Sequence, residues 1–241
     1  MRRRAFKVDD LGGDRVMLRG DAAHHALHVL RLSVGEEIAL FDGRGQRATA
    51  RIVGASADEV VTEVLDRTVD ELTIALIIAT AIPKGERADW LVEKCAELGV
   101  AELIPLQCER GQVLPGAGKL ARWRRKADEA ARQSGQSRSM TIREPTGLAD
   151  ALADCARDGL VWYGAPGAAR TLAEVIGETM TGAAASRGAS IWIGPEGGFS
   201  PGEIARLEQS GGQGVSLGGT ILRVETAAVA AAAVWSAMKS T

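Results

Sequence analysis

The chain has 241 residues, of which 46% are hydrophobic, and a formal net charge of −2 at pH 7. Such a chain can bury a sizeable core, and its near-neutral charge excludes a protein that coats nucleic acid through its overall field. Three widely spaced cysteines fit neither a disulfide framework nor a zinc knuckle, so we expect a cytoplasmic location, and no apolar run approaches the roughly 20 residues that span a membrane.

Residues 1–70 are predicted to form a small, mostly β domain. Three short runs rich in β-branched residues, 38–41, 47–53 and 59–65, are separated by glycine-bearing turns. Residues 21–32 are the exception, because apolar residues recur there at helical spacing. The sequence therefore predicts β-strands that one short helix interrupts.

From residue 71 to 241 the pattern changes to alternating strands and helices. The continuous apolar run 74–81 predicts a buried strand, and 86–98 follows as an amphipathic helix. Further strand candidates, each followed by a helical segment, lie at 103–106, 160–163, 191–193 and 215–217. This order predicts an α/β domain with a largely parallel sheet and helices on both faces.

A glycine-rich loop follows the predicted strand at 191–193 and leads into a helix. Ser200 is suited to the N-cap of that helix, Pro201 to its first position, and Glu203 to the reciprocal bond of a capping box. The start of this helix is therefore predicted at Pro201.

The glycines of this loop, Gly194, Gly197 and Gly198, permit positive φ and leave no side chain between the backbone and a ligand. The alternative is that they only make a tight turn. A second glycine-bearing loop, 217–226, again joins a strand to a helix, which favours a binding site at the carboxyl ends of parallel strands. Neither loop has the spacing of a P-loop or a Rossmann fingerprint, so the pattern alone predicts a small-molecule site of unknown type.

The two loops, Gly194-Pro-Glu-Gly-Gly198 and Leu217-Gly-x-x-Ile-Leu-Arg-x-Glu-Thr226, are similar to the paired cofactor loops of the 16S rRNA uracil-N(3)-methyltransferase family. Other signatures of that family are matched in the same order along nearly the whole chain, at 23–25, 29–32, 41–43, 83–87, 93–100, 109–110 and 133–135.

The resemblance implies a fold, a cofactor and a substrate. Residues 71–241 would form a knotted SPOUT-type parallel-sheet methyltransferase domain with a C-terminal trefoil knot around S-adenosylmethionine. Residues 1–70 would form a PUA-like, RNA-binding β-barrel domain in front of it. The protein would be a homodimer that methylates N(3) of a uridine in 16S rRNA within the 30S subunit.

The resemblance also implies the cofactor-binding residues, which are Ile193, Gly194, Pro195, Glu196, Gly197, Gly198, Leu217, Gly218, Ile221, Leu222, Arg223, Glu225, Thr226 and Ala227. Because N(3) of uracil carries a proton at neutral pH, the site must stabilise the uridinate anion and accept that proton. We assign the first role to Arg223. Glu225 and Glu196 are the candidate bases, and Glu225 is also placed to orient Arg223.

Local basic clusters are the predicted RNA contacts. Residues 119–132 contain six basic and two acidic side chains, a local charge of +4, although a solvated helix face would look the same. The residues predicted to contact RNA are Arg2, Arg3, Arg4, His25, Arg31, Lys84, Arg110, Arg125 and Arg132. His24 and His28 have the spacing of a metal-binding pair, but no acidic or cysteine ligand accompanies them, so no metal is predicted.

Two departures from the family pattern leave an alternative open. Thr220 and Gln136 stand where the family usually carries arginine, which would weaken an RNA contact or shift it to Arg132 or Arg138. The chain would then be a non-catalytic RNA-binding factor of ribosome assembly with the same fold. A small-molecule α/β enzyme is a third interpretation, but it leaves the β domain and the basic clusters without a role.

Overall fold

The computed structural model describes residues 4–70, 75–111, 114–156, 159–180 and 188–239. The chain divides into two compact units. The first consists of Met1–Leu72 with Ala131–Ser139, and the second of Thr73–Ala130 with Met140–Thr241. No helix within the described ranges is both long and apolar enough to cross a membrane.

The first unit is built on a mixed five-stranded sheet in the order β1-β3-β4-β5-β2. β1 runs parallel to β3, and the other neighbours are antiparallel. Side chains alternate between the two faces, as in β2, where Val16 and Leu18 are buried between exposed neighbours. The strands are β1 (Ala5–Lys7), β2 (Arg15–Arg19), β3 (Glu37–Phe41), β4 (Gln46–Ala55) and β5 (Glu59–Val69).

The helix predicted at 21–32 is shorter and less regular than expected. α1 (Gly20–His24) continues directly into a π-helical turn (His25–Val29). Arg31 then has a φ of 53°, a left-handed conformation that is uncommon for a residue other than glycine. The helix predicted from the apolar spacing is therefore confirmed as far as Val29, but spacing alone does not distinguish a π-turn from an α-helix.

The segment 131–139 completes the first unit. The guanidinium of Arg138 donates hydrogen bonds to the backbone carbonyls of Arg44 and Asp70. Gly45, with a φ of 115°, lies against this guanidinium so closely that a Cβ there would be 2.3 Å from Nη2 of Arg138. Arg138, considered above as a substitute RNA contact, is thus engaged with the backbone of its own unit.

The second unit contains a parallel sheet in the order β12-β10-β11-β6-β7-β8, with β9 also paired to β7. Every pairing among the described strands of this sheet is parallel, as predicted. The strands are β6 (Leu76–Thr80), β7 (Glu102–Gln107), β8 (Thr141–Ile142), β9 (Thr146–Gly147), β10 (Gly159–Gly164), β11 (Gly188–Ile193) and β12 (Gln213–Val215). β12 ends two residues earlier than predicted, because Ser216 and Leu217 already belong to the glycine loop.

Helices cover both faces of this sheet. In β11, Ile191 and Ile193 face one buried cluster with α2, α3, α5 and α7, whereas Trp192 faces a second cluster with α4 and α6. The helices are α2 (Glu86–Glu97), α3 (Ala117–Ser134), α4 (Leu148–Cys155), α5 (Leu172–Met180), α6 (Pro201–Gln209) and α7 (Val224–Lys239). The predicted α/β architecture of this unit is confirmed.

Candidate functional site

The start of α6 is fixed by the predicted capping box. The hydroxyl of Ser200 accepts a hydrogen bond from the N–H of Glu203 at 3.2 Å, and the Glu203 carboxylate accepts one from the N–H of Ser200 at 2.7 Å. The second oxygen of Glu203 accepts a bond from the N–H of Glu109 at 2.9 Å. This buried carboxylate therefore ties together the loops that follow β7 and β11.

The glycines of the loop after β11 have different roles. Only Gly198 has a positive φ, of 69°, so the conformational freedom expected of Gly194 and Gly197 is not used. Gly194 is instead a point of close approach, since a Cβ there would lie 3.0 Å from the backbone nitrogen of Phe199. At Gly197 a Cβ would meet nothing closer than Cδ of Arg110, at 3.6 Å.

The two glycine loops enclose a pocket of about 480 Å³ at the carboxyl ends of β11 and β12. Gly164, which ends the neighbouring strand β10, completes the lining together with Ala165 and Pro166, and this contribution was not predicted. Of the residues predicted to bind cofactor, those that line the pocket are Ile193, Gly194, Pro195, Glu196, Gly197, Gly198, Leu217, Gly218, Ile221, Leu222, Arg223 and Ala227. Glu225 and Thr226 lie outside this lining.

Arg87, which sequence reasoning did not single out as a site residue, lies beside both candidate bases. Its Nη1 atom is 3.5 Å from Oε1 of Glu225 and 4.0 Å from Oε1 of Glu196. These contacts arise because α2 packs against α7, and Arg87 and Glu225 are each the second residue of their helix. The sequence signal that could have identified Arg87 is its place in the family signature at 83–87.

Glu225 and Glu196 differ in their environment. The side chain of Glu225 is only 8% exposed, whereas that of Glu196 is 62% exposed. Oε2 of Glu225 is buried and has no hydrogen-bond partner among the described residues. The ion-pair partner of Glu225 is Arg87 and not Arg223, which is exposed at the pocket wall.

The residues predicted to contact RNA have different environments. Arg2 and Arg3 lie outside the described residues. Two are held by other groups: Arg110 donates to the carbonyl of Gly197 at 2.9 Å, and the half-buried ring of His25 meets Phe6 edge-on at 6.2 Å. Arg132 is half-buried, whereas Arg4, Arg31, Lys84 and Arg125 are exposed, as is Arg110.

The basic face of α3 is partly neutralised by acidic side chains from elsewhere in the second unit. Arg122 pairs with Asp89 at 2.7 Å, Arg124 with Glu144 at 2.8 Å, and Lys126 with Glu93. Arg125 is exposed and has no partner among the described residues. The local charge of +4 therefore overstates the basic character of this helix.

The cysteines are unsuited to catalysis. All three are buried. Burial raises the pKa of Cys95 to about 12 and that of Cys155 to about 11, and burial with the nearby Glu203 carboxylate raises that of Cys108 to about 12. Thiols of this kind stay protonated at neutral pH and are poor nucleophiles.

Comparison with known proteins identifies the family. Residues 70–236 match the RNA methyltransferase domain family, and residues 18–65 match the RNA methyltransferase PUA domain family. Ribosomal RNA small subunit methyltransferase E of Mycobacterium tuberculosis is 32% identical over 94% of this chain and 88% of its own length. The Bacillus subtilis protein of the same name is 30% identical over 87% of this chain and 85% of its length. The chain belongs to the ribosomal RNA small subunit methyltransferase E family. The resemblance drawn from the motifs is thereby confirmed.

Solved structures agree with this assignment. Methyltransferase E from Neisseria gonorrhoeae, bound to S-adenosyl methionine, has a TM-score of 0.82 and 29% identity over 96% of this chain and 95% of that one. A Legionella pneumophila methyltransferase with the same cofactor has a TM-score of 0.78 and 30% identity, covering 98% and 96% of the two chains. The predicted fold class, a PUA-like β unit before a SPOUT-type α/β unit, is confirmed.

Proposed function

We propose that this chain uses S-adenosylmethionine to methylate N(3) of a specific uridine in 16S rRNA. The observation that carries the proposal is the pocket between the two glycine loops, in a chain whose relatives of the same architecture bind that cofactor. Its volume of about 480 Å³ suits a ligand of this size. The glycines allow backbone amides and carbonyls to reach the ligand, and Leu217, Ile221 and Leu222 supply apolar contacts.

The cofactor, when bound, supplies a methyl group on a positively charged sulfur. The residues of the chain must do the rest: hold the target base in line, stabilise its anion and accept its proton. Arg223 lies at the pocket wall with no ion-pair partner among the described residues, so its guanidinium is available to the uridinate oxygens. Glu225 and Glu196 are the candidate proton acceptors.

The target uridine must be unpaired when it reacts, because base pairing occupies its imide edge. We propose that the assembled 30S subunit presents the base in this state. The first unit, here taken as residues 1–70, and the exposed residues Arg4, Arg31, Lys84 and Arg125 would dock the RNA. An enzyme with this substrate would work in the cytoplasm.

We also propose a homodimer that uses part of α7. Four of its alanines, Ala227, Ala228, Ala231 and Ala232, are buried within the unit, so they support packing inside one chain. Ala230 is half-buried and Ala233 exposed, and these leave room for close approach by a second copy. Light scattering at micromolar concentration tests this proposal, and a monomer would contradict it.

Two measurements test the function. Calorimetry should detect binding of S-adenosylmethionine, and mass spectrometry of 16S rRNA from 30S subunits treated with enzyme and cofactor should find one new N(3)-methyluridine. The alternative, a non-catalytic assembly factor, is not favoured by the family assignment. It would be supported if the protein bound 30S subunits but neither bound the cofactor nor transferred a methyl group.

A further inference from the structure

The loop that follows β7 reaches the glycine loop after β11, although β6 lies between these two strands in the sheet. Cys108, at the start of the first loop, and Phe199, at the end of the second, belong to the same buried cluster. The N–H of Glu109 then donates to the carboxylate of Glu203 at 2.9 Å, and Glu203 is only 2% exposed. The backbone that leads to Arg110 is therefore fixed beside the glycine loop.

Arg110 contacts the wall of the pocket from this position. Its Nη1 atom donates a hydrogen bond to the backbone carbonyl of Gly197 at 2.9 Å, and Gly197 lines the pocket. The aliphatic part of the arginine side chain lies beside the same residue, since a Cβ at Gly197 would be 3.6 Å from Cδ of Arg110. The guanidinium thus binds the backbone of the glycine loop and not one of its side chains.

The carbonyl of Gly197 is an acceptor that the turn in this loop does not use. The N–H of Gly198 donates to the carbonyl of Pro195 at 2.8 Å, which closes a four-residue turn with Glu196 and Gly197 at its centre. The carbonyl of Gly197 takes no part in that hydrogen bond. Because glycine has wide backbone freedom, this peptide group would sample several orientations unless a donor outside the turn held it. Arg110 is such a donor.

We propose that Arg110 is a positioning residue that holds the loop 194–198 in the conformation that binds the cofactor. This role differs from the RNA contact predicted from the sequence. A loop that is already ordered loses less conformational freedom when its ligand binds, so the affinity is higher. Loss of Arg110 should therefore weaken binding of S-adenosylmethionine but spare methyl transfer once the pocket is filled. The inference rests on the proposed function, which supplies the cofactor.

Two substitutions separate the hydrogen bond from the bulk of the side chain. Arg110→Met removes every donor but keeps an unbranched side chain, whereas Arg110→Lys restores one charged donor. In calorimetry without RNA, the dissociation constant of S-adenosylmethionine should rise about tenfold in Arg110→Met, because a hydrogen bond from a charged group is lost. Arg110→Lys should stay within about threefold of the wild-type protein. Since RNA is absent, a lost RNA contact cannot cause the change.

The reaction rate provides the second measurement. Single-turnover rates on 30S subunits at saturating cofactor should change less than about threefold in both variants, because the filled pocket holds the loop in place. A general loss of folded structure would lower this rate together with the affinity, so the two measurements distinguish positioning from destabilisation.

Hydrogen–deuterium exchange tests the loop itself, without the cofactor. The amide of Gly198, which bonds to Pro195 within the turn, should exchange faster in Arg110→Met than in the wild-type protein. Arg124→Met is the matched control. Arg124 also donates to a backbone carbonyl of the second unit, that of Ile142 at 3.0 Å, but Ile142 lies in β8, at the opposite edge of the sheet from β12. This variant should leave both cofactor affinity and exchange in the loop unchanged.

Three results would overturn the inference. If Arg110→Met weakens binding to 30S subunits but changes neither cofactor affinity nor exchange in the loop, Arg110 is an RNA contact. If the rate at saturating cofactor falls more than the affinity does, Arg110 acts in the reaction and not on the loop. Equal losses of affinity in Arg110→Met and Arg110→Lys would show that the hydrogen bond does not order the loop. A wild-type protein that does not bind the cofactor would instead refute the proposed function, and exchange in the loop would still decide the role of Arg110.

Discussion

Gly194 lies where the loop after β11 folds back closely on itself. In Gly194→Ala the new Cβ would lie 3.0 Å from the nitrogen of Phe199 and 3.3 Å from the carbonyl carbon of Gly198, so the backbone must shift. We expect the affinity for S-adenosylmethionine to fall by about tenfold or more, because this backbone forms the pocket wall. Gly202→Ala is the control, since Gly202 lies outside the pocket lining and its Cβ would make only ordinary contacts, at 3.8 Å or more. Equal affinities in calorimetry would contradict the prediction.

Arg223 is expected to act mainly in the transition state. Arg223→Ala should lower the single-turnover methylation rate about a hundredfold and change cofactor affinity little, as when an oxyanion donor is removed. Arg223→Lys should recover only part of the rate, because a point charge does not replace a planar guanidinium. If cofactor binding is lost while the rate at saturation is unchanged, Arg223 is a cofactor ligand and not a catalytic residue.

Asp42 makes the first unit sensitive to acid. Burial raises the pKa of its carboxyl, but hydrogen bonds from the N–H groups of Arg44, at 2.7 Å, and Gln46, at 3.0 Å, outweigh this effect and leave the pKa below the ordinary value of 3.8. The stabilisation is therefore complete above that value and is lost as the pH falls through the lower folded-state pKa. Asp42→Asn should reduce the free energy of unfolding by about 1–2 kcal/mol at pH 7.

The same comparison at lower pH provides the check. In urea unfolding from pH 7 to pH 3, the difference between the wild-type protein and Asp42→Asn should narrow only below the ordinary pKa. A difference that stays constant over the whole range would show that the charge of Asp42 contributes nothing.

Among the elements, α6 depends on a single carboxylate at its start. Glu203→Ala removes the acceptor of the bonds from Ser200 and Glu109 and leaves two N–H groups to be satisfied. We expect a loss of about 2–3 kcal/mol in the free energy of unfolding, measured with urea. Glu174, which makes the corresponding bond to Thr171 before α5 but is exposed, is the control, and Glu174→Ala should cost less. If the two variants lose the same free energy of unfolding, the burial of Glu203 does not add to its contribution.

Elements with a strong local signal were predictable. Ser200, Pro201 and Glu203 specify the start of α6 through bonds that span only three residues. The partners of the α3 basic residues were not predictable, because Asp89 and Glu93 come from another helix and meet α3 only in the folded unit. The contribution of Gly164–Pro166, at the end of β10, was missed for the same reason, because it depends on β10 lying between β11 and β12.

The contact between Arg87 and Glu225 belongs to this class as well. The two residues are far apart in the sequence, and only the packing of α2 against α7 brings them together. Sequence patterns therefore predicted the loops that line the pocket, but not the side chain that contacts one of the candidate bases.

For the whole molecule, a net charge of −2 means that RNA affinity must depend on a few exposed basic residues. Arg31→Ala and Arg125→Ala together should weaken binding to 30S subunits and make it less dependent on salt, since each lost phosphate contact reduces the salt slope by about one. Cofactor affinity should be unchanged. Filter binding at several salt concentrations measures this dependence. If the double variant has the same salt slope as the wild-type protein, the RNA binds to other residues.

Removal of residues 1–70 should spare cofactor affinity and abolish methylation, because the pocket is built from the second unit alone. The truncation also affects a segment outside residues 1–70. Ala131–Ser139 would remain without its partners, among them the carbonyls of Arg44 and Asp70, so the truncated protein needs a folding control. Full activity of the truncated protein would refute the docking role.

The position of Ala131–Ser139 also affects how the protein forms during translation. The first 70 residues leave the ribosome long before the segment that completes their unit. At a synthesis rate of about 5–20 residues per second, the interval is roughly 3 to 14 s. During that time the nascent strands lack the contact of Arg138 with Gly45, so the first 70 residues cannot complete their unit until sequence encoded far downstream has been synthesised.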